Sequence, residues 1–460
     1  MKKILHFVFC SYLITLPLML FSFLKPFKAF FSTNSAITNG FFLLLIGLLV
    51  IIIRSRGVIR LRSAFLRTSI LSFIVLVLIS LFTSMILFQS FGVLYGETTI
   101  TASFAENIYY LLIAVTFYYN AILFETVTKE TICKIFDALC IFNVLLGIVQ
   151  LLLVNSYTVV SEIYDLLDVF DLFVDSTNLF SMGRICLTAS EPAGMAITIC
   201  VLLLPYSMSR YLYAEKRQKY LLFIIAFTIL CFFSLSSSTY VALVVSYLVF
   251  AILLYRKNRN PFFITFVLLL VFVIGYIFVT GILDDSYIGR QINYYLFEKT
   301  TSTENYSTGY RYSTVINDFI CFVNYPISGV GNGNQGFLYE SSIMSEYVSE
   351  TIQNNYLVIR ALNGNLGLLS GGPFVPSFIS GYGIAGILIL INQFLTANRA
   401  IRKHPDRVGF FREMYTIGTI TFLTVSFVSG GIEGNYLVLF VLSIPLMAEH
   451  FPEQEEDRLR

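Results

Sequence analysis

The sequence contains few charged residues. Asp, Glu, Lys and Arg make up 13% of its 460 residues, while hydrophobic residues make up 57%. Soluble domains have about 25% charged and about 45–50% apolar residues. This much apolar surface exceeds what one globular core can bury, so the bilayer must solvate much of the chain. The net charge of +2 gives no indication of a nucleic-acid partner.

Several chemistries lack the residues that they need. The seven cysteines show no CxxC spacing and fall mostly in apolar runs, where cysteine behaves as a small hydrophobe. We therefore predict no metal and no cofactor. No GxxxxGK[ST] motif is present, which argues against an ATPase. The three histidines, His6, His404 and His450, lie at or near predicted cytoplasmic ends, so no histidine serves chemistry on the outer side.

The apolar residues cluster into twelve runs long enough to cross a bilayer. The Met1-Lys2-Lys3 start resembles a signal peptide, but no small-residue cleavage site follows it, so we expect a retained first helix. The predicted spans are 4–24, 37–53, 69–91, 104–124, 135–154, 193–211, 220–236, 239–255, 261–281, 374–396, 413–429 and 435–449.

The distribution of basic residues predicts the topology. With the N-terminus in the cytoplasm, 23 of the 30 Lys and Arg residues fall in inner segments and seven fall outside. The fold class predicted is an all-α polytopic membrane protein of about twelve helices, with both ends inside and one large helical extracytoplasmic loop. Its parts are residues 1–281 with nine spans, the loop 282–373, and residues 374–460 with three spans and a cytoplasmic tail.

Three outer or turn-forming stretches each allow two interpretations. In the outer segment 155–192, acids recur at helical spacing opposite apolar residues, which favours an interfacial helix over a divalent-metal site. Ser234–Ser238 fits a tight turn better than a nucleophile. The Gly-rich stretch 329–336 resembles a phosphate-cradling loop in composition, but turn geometry explains it equally well.

Three arginines on the outer side are candidates for binding an anion. Arg184 precedes the sixth span, while Arg311 and Arg360 lie in helical parts of the large loop. A guanidinium is always charged, and its fork of donors matches phosphate oxygens. The alternatives are contact with lipid headgroups or pairing with acids such as Glu191 or Asp318.

Three motifs in this order resemble those of the bacterial O-antigen polymerase and O-antigen ligase superfamily. The first is Arg184 followed by Glu191-Pro192-Ala193-Gly194. The second is Arg311 followed by Asn324-Tyr325-Pro326-Ile327-Ser328-Gly329-Val330-Gly331. The third is Asn354-Asn355-Tyr356-Leu357 followed by Gly364 and Gly367. Together with the predicted topology, the resemblance is spread over most of residues 180–400.

This resemblance implies an integral-membrane glycosyltransferase whose donor is a sugar chain on polyprenyl diphosphate, without a metal. By the resemblance, Arg184 and Arg311 would hold the diphosphate. Glu191 is our candidate general base, because a carboxylate beside arginines stays ionised and can accept a proton; orienting Arg184 is its alternative role. We expect the remaining substrate contacts at Arg290, Arg360, Asn354, Asn355 and Tyr356.

Ligases of the superfamily commonly carry a histidine near Asn354, and the outer side here has none, so a polysaccharide polymerase fits better than a ligase. A flippase or other transporter is the rival from another class. Flippases usually lack such an outer loop and place charges within their spans, whereas the predicted spans here are free of charge except near their ends, at Glu106 and Asp137. We expect a bacterial inner-membrane location with the active site on the periplasmic face. The expected partners are lipid-linked oligosaccharide repeat units, membrane lipids and a chain-length regulator, with no nucleic acid.

Overall fold

The computed structural model describes residues 2–17, 35–55, 63–94, 97–155, 184–189, 192–258, 306–339, 373–427 and 436–450. Within these ranges the chain forms fourteen helical segments and one short β-hairpin. The helices are α1 (Lys2–Thr15), α2 (Ser35–Ser55), α3 (Ala64–Phe91), α4 (Thr99–Thr126), α5 (Lys129–Asn155), α6 (Gly194–Tyr213), α7 (Arg217–Phe233), α8 (Ser237–Asn258), α9 (Tyr306–Asn324), α10 (Gln335–Tyr339), α11 (Phe374–Lys403), α12 (Pro405–Val408), α13 (Phe411–Val425) and α14 (Tyr436–His450).

Six of these helices, α3, α4, α5, α6, α8 and α11, are long and apolar enough to cross a membrane. The prediction of a helical, multi-pass membrane protein is therefore confirmed. Eleven of the twelve predicted spans coincide, at least in part, with helices of the described residues. The ninth, 261–281, lies outside them. The total of twelve spans and the inward orientation of both ends stay predictions.

A short β-hairpin, with strands of two residues each, connects α3 to α4. Strand β1 (Val93–Leu94) pairs antiparallel with β2 (Glu97–Thr98). Thr98 then begins α4 through a capping box: its hydroxyl accepts the Thr101 amide at 3.1 Å, and the Thr101 hydroxyl accepts the Thr98 amide at 2.9 Å. So short a connection makes α3 and α4 antiparallel neighbours.

Helix α6 lies at the centre of the described bundle. In the most apolar 18-residue stretch of α6, 89% of the residues are buried inside the protein, compared with 33% in the corresponding stretch of α3. It packs against α7, α8, α13 and α14. A π-helical turn, Thr198–Leu203, interrupts it, and all six residues of that turn are buried. Such turns often occur at functional sites. The segment that contains Arg184 leads directly into this helix.

Helix α11 is broken at Gly383. This residue has φ 59° and ψ −153°, a conformation open to glycine and strained for other residues. The span predicted at 374–396 thus lies in a helix of two halves, 374–382 and 384–403, on either side of Gly383. A break leaves backbone groups without helical partners, and in a membrane these groups must be satisfied by protein.

Candidate active site

Arg184 is anchored to the carboxyl end of α7. Its side chain is buried, and Nε donates to the carbonyl of Ser234 at 3.3 Å while Nη2 donates to the carbonyl of Leu235 at 2.9 Å. Carbonyls at a helix end lack helical donors and carry partial negative charge, so a guanidinium is stabilised there. Arg184 therefore has a structural role in the fold. Two of its five N–H groups serve these carbonyls.

The turn that Arg184 contacts is the one predicted at 234–238. Helix α7 ends at Phe233 and α8 begins at Ser237, which confirms a tight turn. Leu235 has φ 48°, an unfavourable value for a residue with a Cβ. The hydrogen bonds from Arg184 to Ser234 and Leu235 help to hold this strained conformation.

Gln150 of α5 fixes the position of residues 184–189. Its Oε1 accepts the amides of Cys186 at 3.2 Å and Leu187 at 2.9 Å, and its Nε2 donates to the carbonyl of Leu187 at 3.0 Å. Gln150 is completely buried, and Leu187 has φ 52°. Gln150 is not among the site residues predicted from the sequence. The available signal was the presence of two amide side chains, Asn143 and Gln150, inside the apolar run 135–154, where a polar residue needs a partner.

The Pro326–Gly331 loop bridges the break in α11. The amides of Val330 and Gly331 donate to the carbonyls of Ser380 and Gly381, both at 3.0 Å. In the opposite direction, the carbonyls of Pro326 and Ile327 accept the amides after the break, from Ile384 at 2.8 Å and Ala385 at 3.1 Å. Both broken ends of α11 are thereby paired with the loop, which satisfies their backbone groups.

This close approach requires glycine at position 329. Gly329 has φ 67°, and a Cβ added there would lie 2.3 Å from the carbonyl carbon of Gly381 and 2.4 Å from the Ser380 oxygen. Real Cβ atoms do not approach backbone so closely. The Asn-Tyr-Pro-Ile-Ser-Gly-Val-Gly stretch is therefore a structural connector between α9 and the candidate span α11.

A buried polar network supports the same loop from the side of α3 and α4. Ser80 Oγ accepts the amide of Asn332 at 2.8 Å, and Ser84 Oγ accepts Nδ2 of Asn334 at 2.7 Å. Asn107 donates to Ser80 Oγ at 2.8 Å and accepts the hydroxyl of Tyr382 at 3.1 Å. These uncharged polar groups place the loop between α3, α4 and α11.

Asp318 connects α9 to the first half of α11. Its two carboxyl oxygens accept the hydroxyls of Ser380 at 2.7 Å and Ser377 at 3.1 Å, and the residue is 3% exposed. In the sequence analysis Asp318 was a possible ionic partner of Arg311. Here it joins two helices, with hydroxyl groups as its donors.

Of the eight site residues predicted from the sequence, the structure describes the side chain of Arg184 only. The backbone of Arg311 lies in the second turn of α9, the helix that Asp318 anchors. The other six lie outside the described residues: Glu191, Arg290, Asn354, Asn355, Tyr356 and Arg360. The acidic segment 155–192 lies almost entirely outside them as well. The convergence of Arg184 and Arg311 on one ligand stays a prediction.

The histidines lie away from this region. His450, in the last turn of α14, pairs with Glu125 near the end of α4, with 2.8 Å between Nδ1 and Oε1. His404 joins α11 to α12, and His6 lies in α1 with its Nε2 3.6 Å from the sulfur of Cys10. Among the described residues, no group of three or more His, Cys, Asp or Glu side chains is placed to hold a metal ion.

These features define a multi-pass helical membrane protein in which the segment 306–339 is anchored to a broken candidate span. Residues 221–370, about a third of the chain, match the family model described as O-antigen ligase. This match confirms the resemblance found in the sequence and supports a function of the O-antigen ligase or polymerase type, the processing of glycans at a membrane. The matched residues include Arg311 and the Pro326–Gly331 loop, while Arg184 precedes them. Comparison with curated proteins gives no match.

Proposed function

We propose that the protein is a polysaccharide polymerase of the bacterial inner membrane. It transfers a glycan chain from polyprenyl diphosphate to a hydroxyl of another lipid-linked repeat unit, on the periplasmic face and without a metal. The observation that carries this proposal is the match of residues 221–370 to the O-antigen ligase family. The six long apolar helices support an enzyme whose substrates are held in the bilayer.

In the proposed reaction, the acceptor hydroxyl oxygen forms a bond to the anomeric carbon of the donor sugar. The bond from that carbon to the diphosphate oxygen breaks, and the hydroxyl proton passes to a base, for which Glu191 is the candidate. The leaving diphosphate gains negative charge, so cations at its oxygens stabilise the transition state more than the ground state. Arg184 and Arg311 are assigned this role. Arg290, Arg360, Asn354, Asn355 and Tyr356 are assigned to substrate binding.

Arg311 is the better residue for testing this role, because Arg184 also stabilises the turn after α7. Arg311→Lys should lower turnover of purified protein on lipid-linked repeat by roughly 10²–10³-fold, since lysine cannot make a bidentate contact with phosphate. Arg184→Lys should do the same and also lower the melting temperature. The matched control is Arg412→Lys, because Arg412 pairs with Glu413 on the predicted cytoplasmic side. Normal polymerisation by Arg311→Lys would contradict the diphosphate role.

The O-antigen ligase activity is a second candidate, favoured by the printed description of the matched family. The two activities predict different deletion phenotypes. Loss of a polymerase should leave single repeat units attached to their acceptor. Loss of a ligase should leave no attached glycan and should accumulate long lipid-linked polymer. A chain-length regulator is an expected partner of the polymerase alone, so co-purification of such a protein would also favour polymerisation.

A further inference from the structure

Helix α9 has an unusual distribution of polar and apolar residues. Its outward face is mostly apolar: Phe319 is 65% exposed and Val323 is 59% exposed, and Ile327 just beyond the helix is 75% exposed. The exposed polar residue in the last turn, Asn324, donates its amide to the carbonyl of Ile320 in the same helix. Its inward face contains the polar residues Asn317 and Asp318, both buried. A helix in water has the opposite arrangement. This pattern indicates that the outward face of α9 lies in an apolar medium.

The surrounding sequence is consistent with such a medium. Between Arg311 and Glu340 the only charged residue is Asp318, whose carboxyl group is buried and bonded to two serine hydroxyls. Arg311 and Glu340 therefore bound a stretch that presents no charge on its surface. A stretch of this kind is expected for a segment within the bilayer, with charged residues where it enters and leaves.

The apolar face of α9 continues onto a membrane span. The backbone of Pro326 and Ile327 pairs with Ile384 and Ala385 of α11, which brings the exposed side of α9 next to that of α11. The second half of α11 exposes Ile384, Leu388 and Ile391 by 45%, 60% and 48%. Because α11 is a candidate span, its exposed apolar residues face lipid, and the residues of α9 extend the same surface.

The contacts between α9 and α11 also indicate how deep α9 extends into the bilayer. Asp318 meets Ser377 and Ser380, and the residues after α9 meet Ile384, so α9 and the first half of α11 descend in the same direction. From Phe374 to Gly383 a helix rises ~14 Å, about half the ~30 Å thickness of the hydrocarbon core. The chain then returns, because the ring of Phe337 in α10 lies 6.3 Å from that of Phe91, at the outer end of α3.

We propose that residues 306–339 form a re-entrant element that enters the bilayer from the outer side, turns near mid-depth at the break in α11, and returns. We assign the apolar stripe Phe319, Val323 and Ile327 to contact with lipid acyl chains of the outer leaflet. Irregular backbone is tolerated at such depth only where protein satisfies it. The pairing with α11 and the hydrogen bonds from Ser80 and Ser84 meet that requirement.

The absence of Trp from the chain provides a direct test. Full-length protein with a single Trp, Phe319→Trp, Val323→Trp or Ile327→Trp, is reconstituted in nanodiscs made with lipids brominated on their acyl chains. We expect strong quenching at all three positions, with Ile327→Trp quenched best by bromines deep in the chain. Leu388→Trp is the matched lipid-facing control, and Glu215→Trp, at an exposed residue between α6 and α7, is the aqueous control.

Two results would overturn the proposal. Red-shifted emission that iodide quenches and brominated lipid does not would place the stripe in water, on an ordinary aqueous loop. Blue-shifted emission that neither agent quenches would show that protein covers the stripe. Because each substitution changes an exposed apolar residue to another apolar residue, we expect the variants to fold. Glycan polymerisation is not part of the readout, so the result is independent of the proposed function.

Discussion

Replacing Gly329 with alanine should separate the Pro326–Gly331 loop from the broken helix α11. The added Cβ would lie 2.3–2.4 Å from backbone atoms of Ser380 and Gly381. Neither helix backbone nor loop backbone can move aside cheaply, so the hydrogen bonds from Val330 and Gly331 to α11 must lengthen or break. A buried donor or acceptor left without its partner costs about 1–3 kcal/mol. Disrupting these two bonds should therefore cost roughly 2–6 kcal/mol.

Gly92→Ala is the matched control for this substitution. Gly92 has φ 63°, close to that of Gly329, but nothing lies within 4 Å of its added Cβ. Gly92 also has ψ −130°, outside the left-handed helical region, so Gly92→Ala includes the cost of an unfavourable backbone conformation, roughly 1–3 kcal/mol, without the steric clash. The difference between the two variants measures the close approach of the loop to α11.

Two quantities are measured for each variant. One is the apparent melting temperature of the protein in nanodiscs at one fixed scan rate, and the other is the abundance of the protein in the membrane. Gly329→Ala should melt well below Gly92→Ala, or fail to accumulate while Gly92→Ala is present. Equal melting temperatures and equal abundance for the two variants would refute the pairing of the loop with the break.

Two further substitutions test the residues that position the candidate site. Gln150→Leu should reduce turnover by up to about 10²-fold, because it displaces the segment that contains Arg184. Asn143→Leu is the control and should leave turnover unchanged, since the Asn143 amide donates to Leu139 of its own helix. Equal effects of the two substitutions on turnover would contradict a positioning role for Gln150. Asp318→Ala should lower the apparent melting temperature more than Asp318→Asn, because the asparagine amide still offers an acceptor to Ser377 or Ser380. Identical melting curves for the two variants would show that the hydrogen bonds of Asp318 do not connect α9 to α11.

The helical membrane class could be predicted from composition and run length alone. Apolar runs such as 69–91 and 104–124 correspond to α3 and α4, since a helix is the only single segment that satisfies its own backbone in lipid. The helix ends were less predictable. Helix α4 begins at Thr99, five residues before the predicted run, because Thr98 and Thr101 extend the helix by capping each other.

The break in α11 could not be predicted from local sequence. Gly381 and Gly383 are compatible with an unbroken span, because glycine is tolerated in membrane helices. What makes the break stable is a loop about fifty residues earlier in the chain, whose own conformation depends on Ser80 and Ser84 in α3. Gln150 was missed for a similar reason: its partners, the backbone of Cys186 and Leu187, are not evident until the chain folds.

For the Gly-rich stretch 329–336, the sequence allowed two interpretations, a phosphate-cradling loop or a structural turn, and the structure distinguishes between them. A phosphate-cradling loop needs several backbone amides free to point at the anion. Here the amides of Gly329, Val330, Gly331, Asn332 and Asn334 all donate within the protein, to Tyr325, Ser380, Gly381, Ser80 and Gly331 respectively. These amides are therefore occupied in building the connection to α11.

The glycines of the motif thus serve backbone packing, so we expect the binding of an anionic donor to depend on groups other than the amides of this loop. In the proposed function this requirement falls on the guanidinium groups. Arg311 lies in α9, the helix that ends at this loop and that Asp318 fastens to α11. The Pro326–Gly331 loop and Arg311 are then structurally linked. The loop and Asp318 set the position of α9, and the position of α9 sets that of Arg311. This is why a substitution at Gly329, which touches no substrate in the proposed mechanism, should impair catalysis as well as stability.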